Sequence, residues 1–74
     1  MNTFKIIQWR YLTELQIVVG IVNDEPIFEK QIWQADDIEE VFILHDCDGF
    51  VDMEFGDGSS VYHVDKSLFR EVEQ

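Results

Sequence analysis

The feature that most constrains the fold lies between Val41 and Phe55, where an apolar run is followed by an Asp48-Gly49 pair and then by strict alternation of apolar and acidic residues. Asp-Gly between alternating hydrophobic residues is typical of a β-hairpin, because a two-residue type I′ turn requires positive φ at both central positions. The sequence therefore predicts a hairpin with Asp48 and Gly49 in a type I′ turn.

Counting outward from this turn gives the cross-strand pairs Cys47–Phe50, Asp46–Val51, His45–Asp52, Leu44–Met53, Ile43–Glu54 and Phe42–Phe55. Residues that lie opposite each other share a face of the sheet. The face expected in the core comprises Phe42, Leu44, Val51, Met53 and Phe55. The other face presents His45, Asp52 and Glu54 to solvent or to a partner, with His45 and Asp52 as a cross-strand ion or hydrogen-bonded pair. A shift by one residue would bury both carboxylates, so alternation favours this register.

The first half of the chain predicts three strands, because it is rich in β-branched and aromatic residues. They are Phe4–Leu12, Leu15–Val22 and Ile27–Trp33. The second is expected to be central with both faces covered, and Gly20 within it is a candidate bulge. A turn at Asn23–Pro26 precedes the third, in which Phe28 and Ile32 point to the side opposite Trp33.

Residues 35–42 are ambiguous between helix and strand. Asp37 and Glu40 have the spacing of a capping box, so about one turn of helix is expected near Asp36–Glu40. After the hairpin, a turn at Gly56–Ser60 and a strand at Val61–Val64 complete a three-stranded meander. Asp65 is then placed to cap a short terminal helix or 3₁₀ turn.

These elements predict a single, mainly β domain that spans residues 1–74. Its sheet is expected to be antiparallel and twisted, or a small open barrel, with one or two short helical turns. A small α+β fold is the alternative. The segment Phe50–Phe69 resembles the strand, Asp-Gly turn, strand and helical-turn ending of small barrels of the Src-homology-3 and Tudor kind.

The net charge of the chain restricts the classes of function that it can have. The chain has sixteen acidic and five basic residues, a net charge of −11, and residues 31–65 hold ten of the acids without a Lys or Arg. Nucleic-acid binding is disfavoured, because phosphate contacts depend on Lys and Arg. Self-repulsion of this size opposes compaction, so we expect the charge to serve recognition of a basic partner.

Metal binding and catalysis are also disfavoured. The segment His45–Gly49 partly matches a calcium loop, but Leu44 and Phe55 occupy the end positions that require oxygen ligands. His45, Cys47 and His63 provide only three of the four ligands of a structural zinc site. We therefore expect no metal, no cofactor and no catalytic residues, and hence a protein that is not an enzyme.

Localisation is expected to be cytoplasmic, in the host cell if the protein is phage-encoded. The single Cys47 cannot form an internal disulfide, and neither a signal peptide nor a membrane span is evident. No membrane interaction is expected.

The size, charge and acidic-strand pattern resemble those of small phage or mobile-element inhibitors of host nucleic-acid machinery, including anti-CRISPR and anti-restriction proteins that mimic DNA. The resemblance implies binding to a basic, nucleic-acid-binding protein rather than to nucleic acid. The candidate partner-binding residues are Asp36, Asp37, Glu39, Glu40, Asp46, Asp48, Asp52, Glu54 and Asp57.

Two alternatives remain. One is an acidic immunity protein that neutralises a basic nuclease toxin, and the other is a structural or adaptor subunit that pairs through a sheet edge. A domain this small and aromatic is also able to form a homodimer.

Overall fold

The computed structural model describes residues 3–72, which form one antiparallel, open, seven-stranded sheet and one 3₁₀ turn. The strands are β1 (Thr3–Trp9), β2 (Thr13–Val22), β3 (Glu25–Trp33), β4 (Ile38–Asp46), β5 (Phe50–Phe55), β6 (Ser60–Asp65) and β7 (Phe69–Glu71), and the 3₁₀ turn spans Lys66–Leu68. Their order across the sheet is β3-β2-β6-β5-β4-β1-β7. The prediction of a mainly β fold is confirmed, as is the β4-β5-β6 meander.

The hairpin register follows the prediction near the turn and departs from it further out. Asp46 lies opposite Val51 and His45 opposite Asp52, as expected. A bulge between Ile43 and His45 then shifts the pairing by one residue, so that Ile43, instead of Leu44, faces Met53. The remaining predicted pairs, which place Ile43 and Phe42 opposite Glu54 and Phe55, are therefore wrong.

This bulge changes which residues of β4 reach the core. Val41 is fully buried and Ile43 partly buried, whereas Phe42 is 38% exposed and Leu44 is half-buried. The predicted core positions of Phe42 and Leu44 are thus wrong, while those of Val51, Met53 and Phe55 are confirmed. Every residue of the run from Val41 to Leu44 is apolar, so alternation alone could not choose its buried face.

The type I′ turn forms at a different site. Asn23 and Asp24 have φ values of 52° and 63°, and they join β2 to β3 with Val22 opposite Glu25. At the Asp48-Gly49 turn only Gly49 has positive φ, at 88°. The predicted turn position is confirmed there, but its type I′ geometry is wrong.

The segment before β4 is extended rather than helical. Its backbone is bonded to the end of β1, since Trp9 N donates to Asp37 O at 3.0 Å and Asp36 N donates to Trp9 O at 2.7 Å. Asp36 takes a φ of 72°, which a helix does not allow, and β4 begins at Ile38. The predicted helical turn near Asp36–Glu40 is therefore wrong.

The predicted terminal turn is present. The Asp65 carboxylate accepts a hydrogen bond of 2.9 Å from Ser67 N and caps the 3₁₀ turn. Arg10 N then donates to Leu68 O at 2.9 Å and Val72 N donates to Ile6 O at 2.8 Å, which fixes β7 against β1. At three residues, this turn is the longest helical segment within residues 3–72, too short to cross a bilayer.

Strand β2 is less covered than predicted. Ile17 is buried, but Ile21 is 71% exposed and Val22 56% exposed. The cause is that β2 pairs with β6 only at Val18–Ser60, so the distal half of the β2–β3 hairpin has no neighbouring strand beyond it. The bulge predicted around Gly20 is confirmed, because the register shifts between Val18 and Gly20.

An aromatic cluster anchors the core. Trp9 is fully buried, with its ring centroid 5.5 Å from that of Trp33 and 6.0 Å from that of Phe69. Trp33 in turn stacks on Phe55, with centroids 5.1 Å apart and planes inclined by 23°. These contacts join the ends of β1, β3 and β5 beneath the surface described next.

Candidate partner-binding surface

Eight of the nine candidate carboxylates lie at the two ends of the β4–β5 hairpin. Five surround the start of β4 and the turn after β5, which we call the open end: Asp36, Asp37, Glu39, Glu40 and Asp57. Three others belong to what we call the turn end, near Asp48 and Gly49: Asp46, Asp48 and Asp52. Glu54 lies between the two ends, opposite Phe42. The nine residues are therefore divided between two environments instead of forming one continuous array.

At the turn end, a cation compensates the acidic residues. Lys66 Nζ lies 2.6 Å from Asp46 Oδ1, and this hydrogen bond and ion pair lower the pKa of Asp46 and raise that of Lys66. Asp48, exposed in the turn, also raises the pKa of Lys66 through its charge. Lys66 N donates to Gly49 O at 3.0 Å, which holds the ammonium group near the turn.

Asp52 has a structural role at the turn end. Its Oδ1 accepts a hydrogen bond of 2.8 Å from His63 N, and its Oδ2 lies 3.2 Å from His45 Nδ1. His63 has a φ of 59° at the bulge between β5 and β6, so the carboxylate holds a strained backbone. The predicted His45–Asp52 pair is confirmed. The expectation that Asp52 is freely presented is wrong, since its side chain is only 19% exposed.

The open end contains a cleft of about 560 Å³. It is lined by Gln31, Trp33, Ile38, Glu39, Glu40, Phe55, Gly56, Asp57 and Ser59. The stacked rings of Trp33 and Phe55 are almost fully buried and belong to the core, so this part of the cleft is rigid. The strand ends that carry Glu39, Glu40 and Asp57 place carboxylates around this aromatic base.

The charges at the open end repel one another. Burial has the largest effect on Glu39 and raises its pKa; a hydrogen bond with Trp33 lowers it by less, and the charges of Asp37 and Asp57 each raise it by a smaller amount again. Asp57 is held ionised, because hydrogen bonds from the hydroxyl and N–H of Ser59 lower its pKa. Asp37 accepts a hydrogen bond of 3.2 Å from Gln34 N.

Cations do not offset this repulsion in the part of the chain that the structure describes. There the ion pairs join Lys5 to Glu71, Lys30 to Glu14, Lys66 to Asp46 and His45 to Asp52. None involves a carboxylate of the open end. Its negative charge is therefore available to a cation from another molecule.

The chemistry of the open end suits a basic side chain. Arg carries a planar cation whose donors match the geometry of carboxylate oxygens. Within residues 3–72 no three His, Cys, Asp or Glu side chains are grouped to hold a metal ion, and His45, Cys47 and His63 do not form such a set.

Sequence reasoning missed Trp33 and Phe55 as parts of the surface. A signal for them exists: Trp33 is the last residue of β3 and Phe55 the last of β5, and each is followed within three residues by an acidic turn. An aromatic residue at the end of a strand can pack in the core and also form the floor of a surface cleft. When acidic residues follow it, that cleft is lined with carboxylates.

No protein-family model matches the sequence, and neither a curated protein nor a solved structure matches it at a significant level.

Proposed function

We propose that this domain is a non-enzymatic inhibitor that binds the basic, nucleic-acid-binding surface of another protein through its open end, as an anti-CRISPR-like or other DNA mimic does. The observation that carries this proposal is the group of five open-end carboxylates, which no cation compensates within residues 3–72. The target is a host defence or nucleic-acid-processing protein in the cytoplasm.

The energetics favour a binding role for these charges. Burial and repulsion already raise the pKa of Glu39, so the ionised form of this side chain is a cost to the folded chain. Lys or Arg side chains of a partner would relieve that cost on binding. The basic groove of a partner normally binds the phosphates of a nucleic acid. In the complex it would instead bind the open-end carboxylates, which neighbouring strand ends hold apart from one another.

The net charge of −11 supplies a second part of the mechanism. A field of one sign steers an oppositely charged partner into encounter and raises the association rate, and it weakens as salt screens it. Steering acts through the whole charge, whereas local contacts act through the open end. The two contributions are therefore separable by substitution.

The proposal is tested first by capturing the target from a host lysate at low and high salt, and then by matched neutralisations. Glu40→Gln with Asp57→Asn removes two charges from the open end, and Glu25→Gln with Asp24→Asn removes two from the β2–β3 turn. Asn at position 24 suits the positive φ of 63° there. Position 57 keeps an oxygen for Ser59.

We expect the open-end double variant to bind on the order of tenfold more weakly, since two exposed charge pairs contribute up to about 1 kcal/mol each. The control should lose about twofold or less. Affinity should fall with salt, and DNA or RNA should compete. Equal losses from both variants would reduce the interaction to steering, and binding insensitive to salt and nucleic acid would overturn the proposal.

A further inference from the structure

The edge of the sheet at β3 exposes a long apolar strand. Over its nine residues, β3 pairs only with β2 in the described part of the chain. Ile32 is 60% exposed and Phe28 53% exposed, on the face of the sheet opposite Trp33. Long, exposed, apolar edge strands are templates for pairing with another strand. The opposite edge, β7, has only three residues.

The residue pattern of β3 is symmetric about Lys30. Moving outward from Lys30, the chain shows Glu29 and Gln31, then Phe28 and Ile32, then Ile27 and Trp33. Polar residues thus flank the centre at the same distance on both sides, and apolar residues follow them on both sides. A two-fold interface brings the same patch of each copy together, so a self-complementary pattern is what it requires.

We propose that two copies of this chain pair β3 with β3 in antiparallel orientation, with the two-fold axis at Lys30. Phe28 of each copy then lies opposite Ile32 of the other, and Glu29 lies opposite Gln31. The exposed apolar side chains form two Phe28–Ile32 pairs, one on each side of the Lys30 residues at the two-fold axis, and the outward N–H and C=O groups of both edges are paired. The result is a continuous sheet of fourteen strands, twice the seven of one chain.

The apolar pairs favour this register over its neighbours. Lys30 of one copy lies opposite Lys30 of the other, but each ammonium group is already paired with Glu14 of its own chain, at 3.5 Å. An axis at Glu29 would place two carboxylates opposite each other and Phe28 opposite Lys30. An axis at Gln31 would place Lys30 opposite Ile32. Both neighbouring registers lose the two Phe28–Ile32 pairs.

A second copy suits this edge better than a basic partner does. Residues 13–33 contain four acids and one Lys, whereas residues 31–65 contain ten acids and no Lys or Arg, so self-repulsion is weaker where the two edges meet than it would be at the open end. Because the whole chains still repel each other, dimerisation should strengthen as salt rises. That dependence is opposite to the one expected of the open end, which separates the two proposals.

Sedimentation equilibrium of the full chain, over micromolar to about millimolar concentration and at two salt concentrations, tests the dimer. Ile32→Lys should weaken dimerisation about 100-fold, because each dimer carries the change twice. The matched control is Leu12→Lys, at a residue outside β3 and the open end that is 66% exposed compared with 60% for Ile32. Near-UV circular dichroism checks that both variants are folded.

The register is tested by disulfide formation in a Cys47→Ser background. Lys30→Cys should form a covalent dimer under mild oxidation, since residues directly opposite have Cβ atoms about 4.5–5.5 Å apart. Glu29→Cys should crosslink far more slowly, because it faces Gln31 instead of itself. Rapid crosslinking at position 29 would overturn the register.

Two results would overturn the dimer itself. One is a monomer at every concentration up to about 1 mM. The other is a dimer that Ile32→Lys leaves intact or that Leu12→Lys disrupts equally. If the chain is monomeric and Ile32→Lys instead abolishes capture of a different protein, the edge belongs to that protein and self-pairing is rejected.

Discussion

Acidic side chains have different roles at the two ends of the β4–β5 hairpin. At the turn end, Asp46 is paired with Lys66 and Asp52 holds the His63 backbone, so these carboxylates stabilise local structure. At the open end, Glu39 is pushed towards protonation by burial and by its acidic neighbours. The contrast teaches that acidic composition alone does not identify a binding surface. The informative property is whether each carboxylate is compensated within its own chain.

The largest expected effect is on stability, and it concerns the apolar side chains that pack beneath each end. Phe55→Ala at the open end should reduce the free energy of unfolding by about 3–5 kcal/mol, because Phe55 is 5% exposed and stacks on Trp33. Leu44→Ala near the turn end should cost about 1 kcal/mol, since Leu44 is half-buried in a bulge. Urea unfolding measures both. Equal costs would mean that Leu44 belongs to the core and that the bulge is absent.

An intermediate effect separates two acids on the outward face of β5. Asp52→Ala should cost about 1–3 kcal/mol, because it leaves His63 N–H without its acceptor and removes the partner of His45. Glu54→Ala should change stability by about 0.5 kcal/mol or less. Thermal unfolding of the pair at neutral pH measures the difference. If Asp52→Ala proves as harmless as Glu54→Ala, the turn end does not depend on the Asp52 carboxylate.

The smallest expected effects have opposite signs at the two ends. The raised pKa of Glu39 means that its ionised form destabilises the fold, and that this cost disappears as pH falls through its raised folded pKa towards the unfolded value of 4.5. Glu39→Gln should therefore raise the melting temperature slightly at pH 7 and have no effect at pH 4 or below.

Asp46 is the matched case at the turn end. Its lowered pKa means that its ionised form contributes stability above the unfolded value of 3.8, and that this contribution is lost as pH falls through the folded pKa. Asp46→Asn should lower the melting temperature slightly at pH 7, with the difference closing below pH 3.8. Melting curves from pH 7 to pH 3 test both variants, and shifts of the same sign would contradict the comparison.

Sequence patterns predicted the elements of the fold better than their register. The strands, the meander, the Asp65 cap and the His45–Asp52 pair followed from alternation and from turn chemistry. The bulge in β4 did not, because a run of four apolar residues is compatible with either face. The helical turn near Asp36 was expected from capping-box spacing, but backbone bonds to Trp9, distant in sequence, favour an extended chain.

For the candidate surface, the sequence identified the acidic residues but not the cations and backbone groups that bind them. Lys66 lies outside the acid-only stretch and reaches Asp46 only because the 3₁₀ turn packs beside Gly49. The hydrogen bond from His63 N to Asp52 depends on a second bulge and on the left-handed backbone of His63. Both depend on tertiary structure, so a single sequence without its fold assigns all nine carboxylates the same role.

The aromatic base of the open end gives the protein an intrinsic optical reporter. The chain has two tryptophans, and they pack against each other 5.5 Å apart, with Trp33 lining the cleft. Tryptophan emission from this domain therefore arises at one location. A basic side chain that binds the carboxylates beside Trp33 would bring a charge near the indole and would quench or shift that emission, whereas contact at the turn end would leave it unchanged. Occupancy of the open end can thus be followed in solution on the unlabelled chain.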